Sequence, residues 1–286
     1  MPYDLLSALQ AKMPTFSKGQ RAIALFLTTN YDKAAFMTAN KLGKAAGVSE
    51  STVVRFADEL GYDGYPGLQR AMQELVRNRL TSLQRIEFAE ERLANQNVYR
   101  TVLTSDIEKI RETLEQEKNE NFNQVVDTIL EARKIYILGV RSASALASFL
   151  GFYFNLLFEN VRLVHTTSVS EMFEQILRVQ EGDVVIGISF PRYSRRTVKA
   201  LSYAKGQGAR VIGITDTTLS PLYGISDLAL LARSDMASFV DSLVAPLSVI
   251  NALICAIGIR KRVEISEIFA RLEDIWSEYQ VYEKYE

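Results

Sequence analysis

Residues 38–56 read TANKLGKAAGVSESTVVRF, and this short stretch holds the boundary signals of two helices. Thr38 can cap the first through its hydroxyl, Gly47 sits where the chain must turn, and Ser49 can cap the second. Gly61 stands at the C′ position that ends the second helix. Leu42, Val48, Val53 and Phe56 fall on the seam between the two. Two short helices joined by a glycine-containing turn make a helix-turn-helix, whose second helix enters the major groove of DNA by its N-terminal end. That end is small and polar here: Ser49, Ser51 and Thr52 permit close approach, and Arg55 reaches a guanine edge or a phosphate. Lys41 and Lys44 on the first helix are placed for phosphate contacts that set register. Glu50 opposes phosphate unless it accepts from a cytosine amine. A capped helical hairpin without a DNA partner is the alternative reading of the same signals.

Around this motif the first third of the chain has helical periodicity and no convincing strand. Leu5, Leu6 and Leu9 mark one helix, and Ile23, Ala24, Leu25 and Leu27 another. Ser49–Leu60 and Leu68–Leu80 mark two more, so a small bundle is expected. Residues 1–80 hold ten Lys+Arg against seven Asp+Glu, and the remainder 23 against 27, so the net charge of −1 divides into +3 and −4. That bias favours a polyanion partner only slightly. From Leu80 to Glu120 the chain is polar and charged with scattered apolar residues, which reads as a helical linker.

After Phe122 the pattern changes to short β-branched runs separated by helix-length segments. The runs are Lys134–Leu138, Val161–Val164, Val184–Ile188, Val211–Ile214 and Leu228–Leu231. Short apolar strands alternating with helices predict a parallel sheet covered on both faces, with ligands beyond the carboxyl ends of its strands. Two segments there suit an anion. One runs from Tyr136 to Ser144, a strand leading into a helix whose free N–H groups favour phosphate, with Arg141, Ser142 and Ser144 at hand. The other is Ser189–Thr197, where Arg192, Arg195 and Arg196 crowd with Ser189, Tyr193 and Ser194, and guanidinium groups grip phosphate or carboxylate bidentately. Helix-capping serines and a solvated basic loop are the plainer readings of these two segments. Thr215, Asp216, Ser220 and Pro221 are weaker candidates, and His165 ends a strand. No Cys/His cluster, nucleophile–His–acid set or dinucleotide glycine fingerprint is legible.

A chain of 286 residues, 48% apolar and 23% charged, has the length of two ordinary globular domains. The single Cys255 cannot form an intrachain disulfide, and the first residues, with Asp4, Lys12, Lys18 and Arg21, hold no apolar signal core. Two stretches lack charge, from Arg141 to Glu159 and from Asp241 to Arg260. Both are short of the about 20 residues a membrane span needs and contain polar residues, so they read as helices buried against the sheet. A cytoplasmic protein with no membrane contact is expected.

Together the two patterns resemble the MurR/RpiR family of bacterial transcription regulators, which join a helix-turn-helix to a sugar isomerase (SIS) domain. The first match runs from Thr38 to Phe56 and on through Gly61, Tyr62, Gly64, Tyr65 and Leu68. In the second, Ile188 and Ser189 open what resembles the family's phosphate loop I-S-x-S-G-x-T-x-E, with Ser194 at the threonine position. Val211–Asp216, Ser220 and Pro221 match the next strand and loop, and Phe239, Asp241, Ser242, Leu243, Ala245, Pro246, Leu247, Asn251, Ala252 and Leu253 resemble the domain's last helix. The loop departs from the pattern at Pro191, Arg192 and Arg196, and Arg141 and Ala143 replace the second glycine and the serine of G-x-G-x-S. Two hydroxyl donors are lost and several cations gained, which implies an anion recognised by arginine.

The resemblance implies a multi-domain chain. An all-α helix-turn-helix domain spans 1–78, a helical linker 79–122, an α/β/α parallel-sheet SIS domain 123–262 and a C-terminal helix 263–286. It implies a DNA-binding regulator that meets its operator through Thr38, Lys41, Lys44, Ser49, Ser51, Thr52, Arg55 and Tyr65. Its effector, a phosphosugar or similar small anionic metabolite, is met by Arg141, Ser142, Ser144, Ser189, Arg192, Tyr193, Ser194 and Thr197. A homodimer or higher homo-oligomer acting on carbohydrate-metabolism genes is expected, with no cofactor, no metal site and no catalytic residue. The alternative is a phosphosugar isomerase with a helical extension, for which only His165, Glu171 and Glu174 offer a general base.

Overall fold

The computed structural model describes residues 5–79, 81–93, 96–116, 119–166, 168–234 and 240–282. Contacts within the chain divide it into two units, residues 1–94 and 95–286.

In the first unit the apolar positions recur at helical spacing and turn inward. Its helices are α1 (Leu5–Lys12), α2 (Lys18–Thr29), α3 (Tyr31–Ala34), α4 (Ala39–Ala46), α5 (Glu50–Glu59), α6 (Gly64–Arg79) and α7 (Ser82–Leu93). Leu9, Ile23, Leu27, Leu42, Val53, Phe56, Leu68 and Met72 are fully buried, with Val48 packed at the edge of this core. Phe16 and Phe56 meet edge to face at 5.3 Å. A capping box starts α2: the Ser17 hydroxyl accepts from Gln20 N–H, and the Gln20 side chain accepts from Ser17 N–H. Leu25, one of the periodic apolar residues, faces water instead. The helix expected from Leu68 begins earlier, at Gly64, and Leu80 lies outside the described residues.

The second unit is built on five parallel strands, each within two residues of an expected run. They are β1 (Lys134–Gly139), β2 (Val161–Val164), β3 (Asp183–Ile188), β4 (Arg210–Thr215) and β5 (Leu228–Leu231), in the order β2-β1-β3-β4-β5. Around them lie α8 (Val98–Gln116), α9 (Asn119–Leu130), α10 (Ala143–Leu157), α11 (Val169–Ile176), α12 (Arg195–Gly206), α13 (Pro221–Ile225), α14 (Val244–Arg260) and α15 (Arg262–Glu278). Alternate strand residues feed two cores. Ile135, Ile137, Val184, Ile186, Ile212 and Ile214 pack with α9, α10 and α14, while Tyr136, Leu138, Val185 and Val211 pack with α11, α12 and α13. The result is a three-layer α/β/α domain, in which β1 and β3 are buried almost along their whole length because both faces are covered.

Two expectations change in detail. The linker segment is helical, but it is divided, α7 belonging to the first unit and α8 to the second. There α8 packs beside α14, and Arg233 N–H donates to Thr113 Oγ1 at 2.9 Å. The last helix of the sheet domain starts at Val244, so Asp241, Ser242 and Leu243 precede it, and Phe239 lies outside the described residues. The two uncharged stretches do become α10 and α14, packed on the sheet. Among the described residues no single helix is long and apolar enough to cross a membrane.

Candidate DNA interface and anion site

The helix-turn-helix is held by local bonds its own residues supply. Thr38, in extended backbone, accepts from Lys41 N–H at 3.3 Å and starts α4. Gly47 takes the left-handed conformation, φ +70°, and lets the chain reverse. Ser49 Oγ accepts from Thr52 N–H at 3.2 Å and starts α5, and Gly61 at φ +88° ends it. Gly43 fixes the approach of the two helices, since a Cβ there would stand 2.9 Å from the Val48 carbonyl oxygen. A glycine inside a helix costs stability, so its presence was the signal for this close approach, one the caps alone do not reveal.

The exposed end of α5 carries the polar set. Ser49 Oγ lies 2.9 Å from Ser51 Oγ and 2.8 Å from Thr52 Oγ1, and Arg55 Nε donates to the Ser51 carbonyl at 3.3 Å. Lys41, Lys44, Ser49, Ser51 and Arg55 are exposed, with Thr52 half-buried. Glu50 is drawn toward α4, its carboxylate accepting from Asn40 Nδ2 at 3.0 Å. Tyr65 leaves the expected DNA-contacting set. It is buried, its hydroxyl donates to the Met37 carbonyl at 2.7 Å, and burial pushes its pKa up to about 12. Gln69, which the sequence did not single out, donates to the same carbonyl at 2.8 Å, so the pair clasps α6 to the chain entering α4.

In the second unit parallel register brings the two anion segments to one edge. Gly139 pairs with Ile188 and Ile188 with Ile214, so the turns after β1, β3 and β4 leave the sheet side by side. After β1 the chain passes tightly into α10: a Cβ on Gly139 would stand 2.5 Å from the Ala143 carbonyl oxygen. Arg141 adopts φ +57°, a left-handed conformation that favours glycine. Ser142 precedes α10 in helical conformation and makes no side-chain cap bond. Ser144 donates its hydroxyl proton to the Arg141 carbonyl at 2.6 Å. Arg141 and Ser142 remain exposed.

After β3 the hydroxyls form a relay. Ser189, buried, accepts on Oγ from Ser194 N–H at 3.1 Å, and Ser194 Oγ accepts from Thr197 N–H at 3.3 Å, capping α12. The first turn of an α-helix holds N–H groups with no carbonyl one turn back, and in α12 that turn begins at Arg195. Thr197 is fully buried, and its hydroxyl has no hydrogen-bond partner among the described residues. Thr215 Oγ1 lies 2.9 Å from the Ser189 carbonyl and 2.8 Å from Ser220 Oγ, which ties this loop to the next. Tyr193 donates its hydroxyl to Asp216 at 2.7 Å. Arg192, Arg195 and Arg196 are exposed in the same segment. Chemically this edge can hold an anion through guanidinium groups, backbone N–H groups and a helix N-terminus. His165 follows β2 and is exposed, and Glu171 accepts from the Thr166 hydroxyl. Among the described residues no cluster of three or more His, Cys, Asp or Glu could hold a metal ion.

A cavity of about 510 Å³ opens at the opposite, amino edge of the sheet, against Arg133, Phe158, Asn160, Arg260, Lys261 and Glu264. Its basic groups are engaged by the protein: Arg133 with Asp183 at 2.7 Å, Arg260 with Asp127 at 3.2 Å, and Lys261 with the Leu157 carbonyl at 2.8 Å.

Comparison with known proteins falls on the same division. The helix-turn-helix domain of the rpiR family matches residues 3–78, and the SIS domain matches residues 128–256. The HTH-type transcriptional regulator HexR of Pseudomonas aeruginosa is 25% identical over 278 residues, 95% of each chain. The sugar isomerase domain of an RpiR transcription factor from Sphaerobacter thermophilus is 27% identical with a TM-score of 0.59, covering 63% of this chain and 99% of that one. Vibrio vulnificus NanR, solved in complex with ManNAc-6P, shares the fold at 19% identity and a TM-score of 0.59, over 96% of this chain and 98% of that one. With an rpiR-type helix-turn-helix, a SIS domain behind it and a regulator matched along nearly its whole length, the chain belongs to the RpiR family of transcription regulators.

Proposed function

We propose that this regulator reads an operator with the N-terminal end of α5 and that a small anionic metabolite, a phosphosugar or a close relative, bound at the carboxyl edge of the sheet, changes its operator affinity. In this reading Ser49, Ser51, Thr52 and Arg55 face base edges, and Thr38, Lys41 and Lys44 meet phosphates. The observation that carries the effector site is the Ser189–Ser194–Thr197 relay, which starts α12 in a segment that also holds three exposed arginines. That the structure of NanR is of its complex with ManNAc-6P supports the phosphosugar class.

Arginine recognition distinguishes this site from one built on hydroxyls. Arg141 and Arg192 reach a phosphate or a carboxylate bidentately, so an effector carrying more negative charge than a simple hexose monophosphate is favoured. The protein acts in the cytoplasm as a homo-oligomer on carbohydrate genes. A two-fold dimer sets its recognition helices in successive major grooves, roughly 34 Å apart. Effector binding must favour one arrangement of those helices, with a coupling of about 1–3 kcal/mol. Residues 80–120, contributing α7 to one unit and α8 to the other, are the covalent route for that coupling.

The test is a titration of the wild type, Arg141→Ala and Arg192→Ala with a panel of sugar phosphates and phosphorylated sugar acids. The reading expects binding in the panel and at least a tenfold loss in each variant, about 1.4 kcal/mol. Unchanged affinity in both variants would overturn the arginine clamp.

A further inference from the structure

Helix α8 is amphipathic in the wrong direction for a surface helix. Its polar side faces the second unit: Asp106 accepts from Ser242 Oγ at 2.5 Å, Glu112 pairs with Arg233 Nε at 3.1 Å, and Thr113 accepts from Arg233 N–H. Its apolar side faces outward, with Tyr99 77% exposed, Leu103 45%, Ile107 55%, Ile110 39% and Leu114 76%. A surface helix normally turns its apolar stripe to the core, and a contiguous exposed stripe marks a contact site.

The order of residues in the stripe says what covers it. Leu103, Ile107, Ile110 and Leu114 are spaced four, three and four apart, the a and d positions of a helical pair, and they read the same in both directions. An antiparallel copy on a two-fold axis crossing between residues 108 and 109 sets Leu103 opposite Leu114 and Ile107 opposite Ile110 of the second copy. Like sizes stay at like levels without any register shift. Arg111 flanks the seam and pairs at 2.7 Å with Glu108 of its own helix, so its charge is balanced when a second helix packs there. Val240 and Val244, exposed on either side of the Ser242 that binds Asp106, extend the apolar area. One helix pair buries less than the about 1,200 Å² of a stable interface, so these neighbours are needed.

We propose that α8 is the site at which two copies of this chain pair, antiparallel and isologous, through Leu103, Ile107, Ile110 and Leu114. This rests on reading the regulator as a homo-oligomer and states which face makes it one. In sedimentation velocity over a concentration series, the full chain is expected to dimerise, and Leu114→Glu to raise the dissociation constant roughly tenfold or more. Leu114 is exposed in the single chain, so the substitution is compatible with folding, which circular dichroism checks. A second variant, Leu103→Cys with Leu114→Cys on a Cys255→Ser background, is expected to give a covalent dimer on mild oxidation with an added disulfide oxidant. Leu103→Cys alone gives none. A wild type that is monomeric throughout, an unchanged constant in Leu114→Glu, or no covalent dimer from the double cysteine variant would overturn the proposal. Operator selection by the same proteins keeps the two readings apart, since a DNA-binding protein that pairs by another face overturns this surface alone.

Discussion

Two turns in this chain do the same geometric work with different residues. Between α4 and α5 the left-handed position is Gly47, φ +70°, and the serine that follows caps the next helix. Between β1 and α10 the left-handed position is Arg141, φ +57°, and the serine that follows makes no cap bond. The first turn satisfies its backbone locally, through the Thr38 and Ser49 caps and the left-handed Gly47. The second holds a charged side chain in a conformation that favours glycine and leaves a helix start without a side-chain cap. Rules that hold throughout a stable element and fail at one exposed edge point to a site kept for binding.

The largest test of this contrast lies under the turns, where each depends on a missing Cβ. Gly139→Ala drives a methyl to 2.5 Å from a backbone oxygen, Gly43→Ala to 2.9 Å, and backbone cannot move aside as a side chain can. Denaturant unfolding should show a loss of about 3 kcal/mol for the first and about half as much for the second. A larger loss at Gly43 would break the ranking.

Arg55→Ala separates stability from recognition. Arg55 is exposed and, among the described residues, bonds only to the carbonyl one turn back on its own helix, so unfolding should be nearly unchanged. Operator affinity should fall by about 2 kcal/mol, roughly thirtyfold, if it is bidentate to a guanine. An equal loss on all sequences, with a smaller salt slope, would reassign it to phosphate.

Smaller effects sharpen the comparison at the left-handed positions and the caps. Arg141→Gly should stabilise the chain by about 1 kcal/mol while weakening anion binding, the two changes having opposite signs. Ser49→Ala should cost about 1 kcal/mol, because an N-cap bond is lost, and Ser142→Ala only a few tenths. Equal costs at Ser49 and Ser142, read by thermal unfolding, would erase the distinction between the turns.

Much of this architecture was legible because its signals are local. Thr38, Gly47, Ser49 and Gly61 announce helix ends through hydroxyls and backbone freedom that act within three residues, and all four do so in the structure. The five strands were legible as short apolar runs because both faces of the sheet are covered. What could not be read depends on side-chain direction set by distant packing. Nothing near Tyr65 says that its hydroxyl turns inward to Met37, and nothing near Ser144 says that its proton goes to the Arg141 carbonyl. The apolar residues of α8 look scattered in a charged segment until Thr113 and Asp106 are seen to face the domain. The arginine-rich loop was visible, whereas the anchoring of Ser189 by Thr215, 26 residues later, was not.

The central claim, that α5 reads DNA for a regulator of the RpiR family, is tested most directly by selecting bound fragments from a random or genomic DNA pool with the purified full chain at several salt concentrations. The account predicts a palindromic enriched sequence, half-sites one helical turn or a multiple apart, and log affinity falling linearly with log salt. No enrichment at any salt concentration would contradict it and leave the N-terminal bundle as a protein-interaction module.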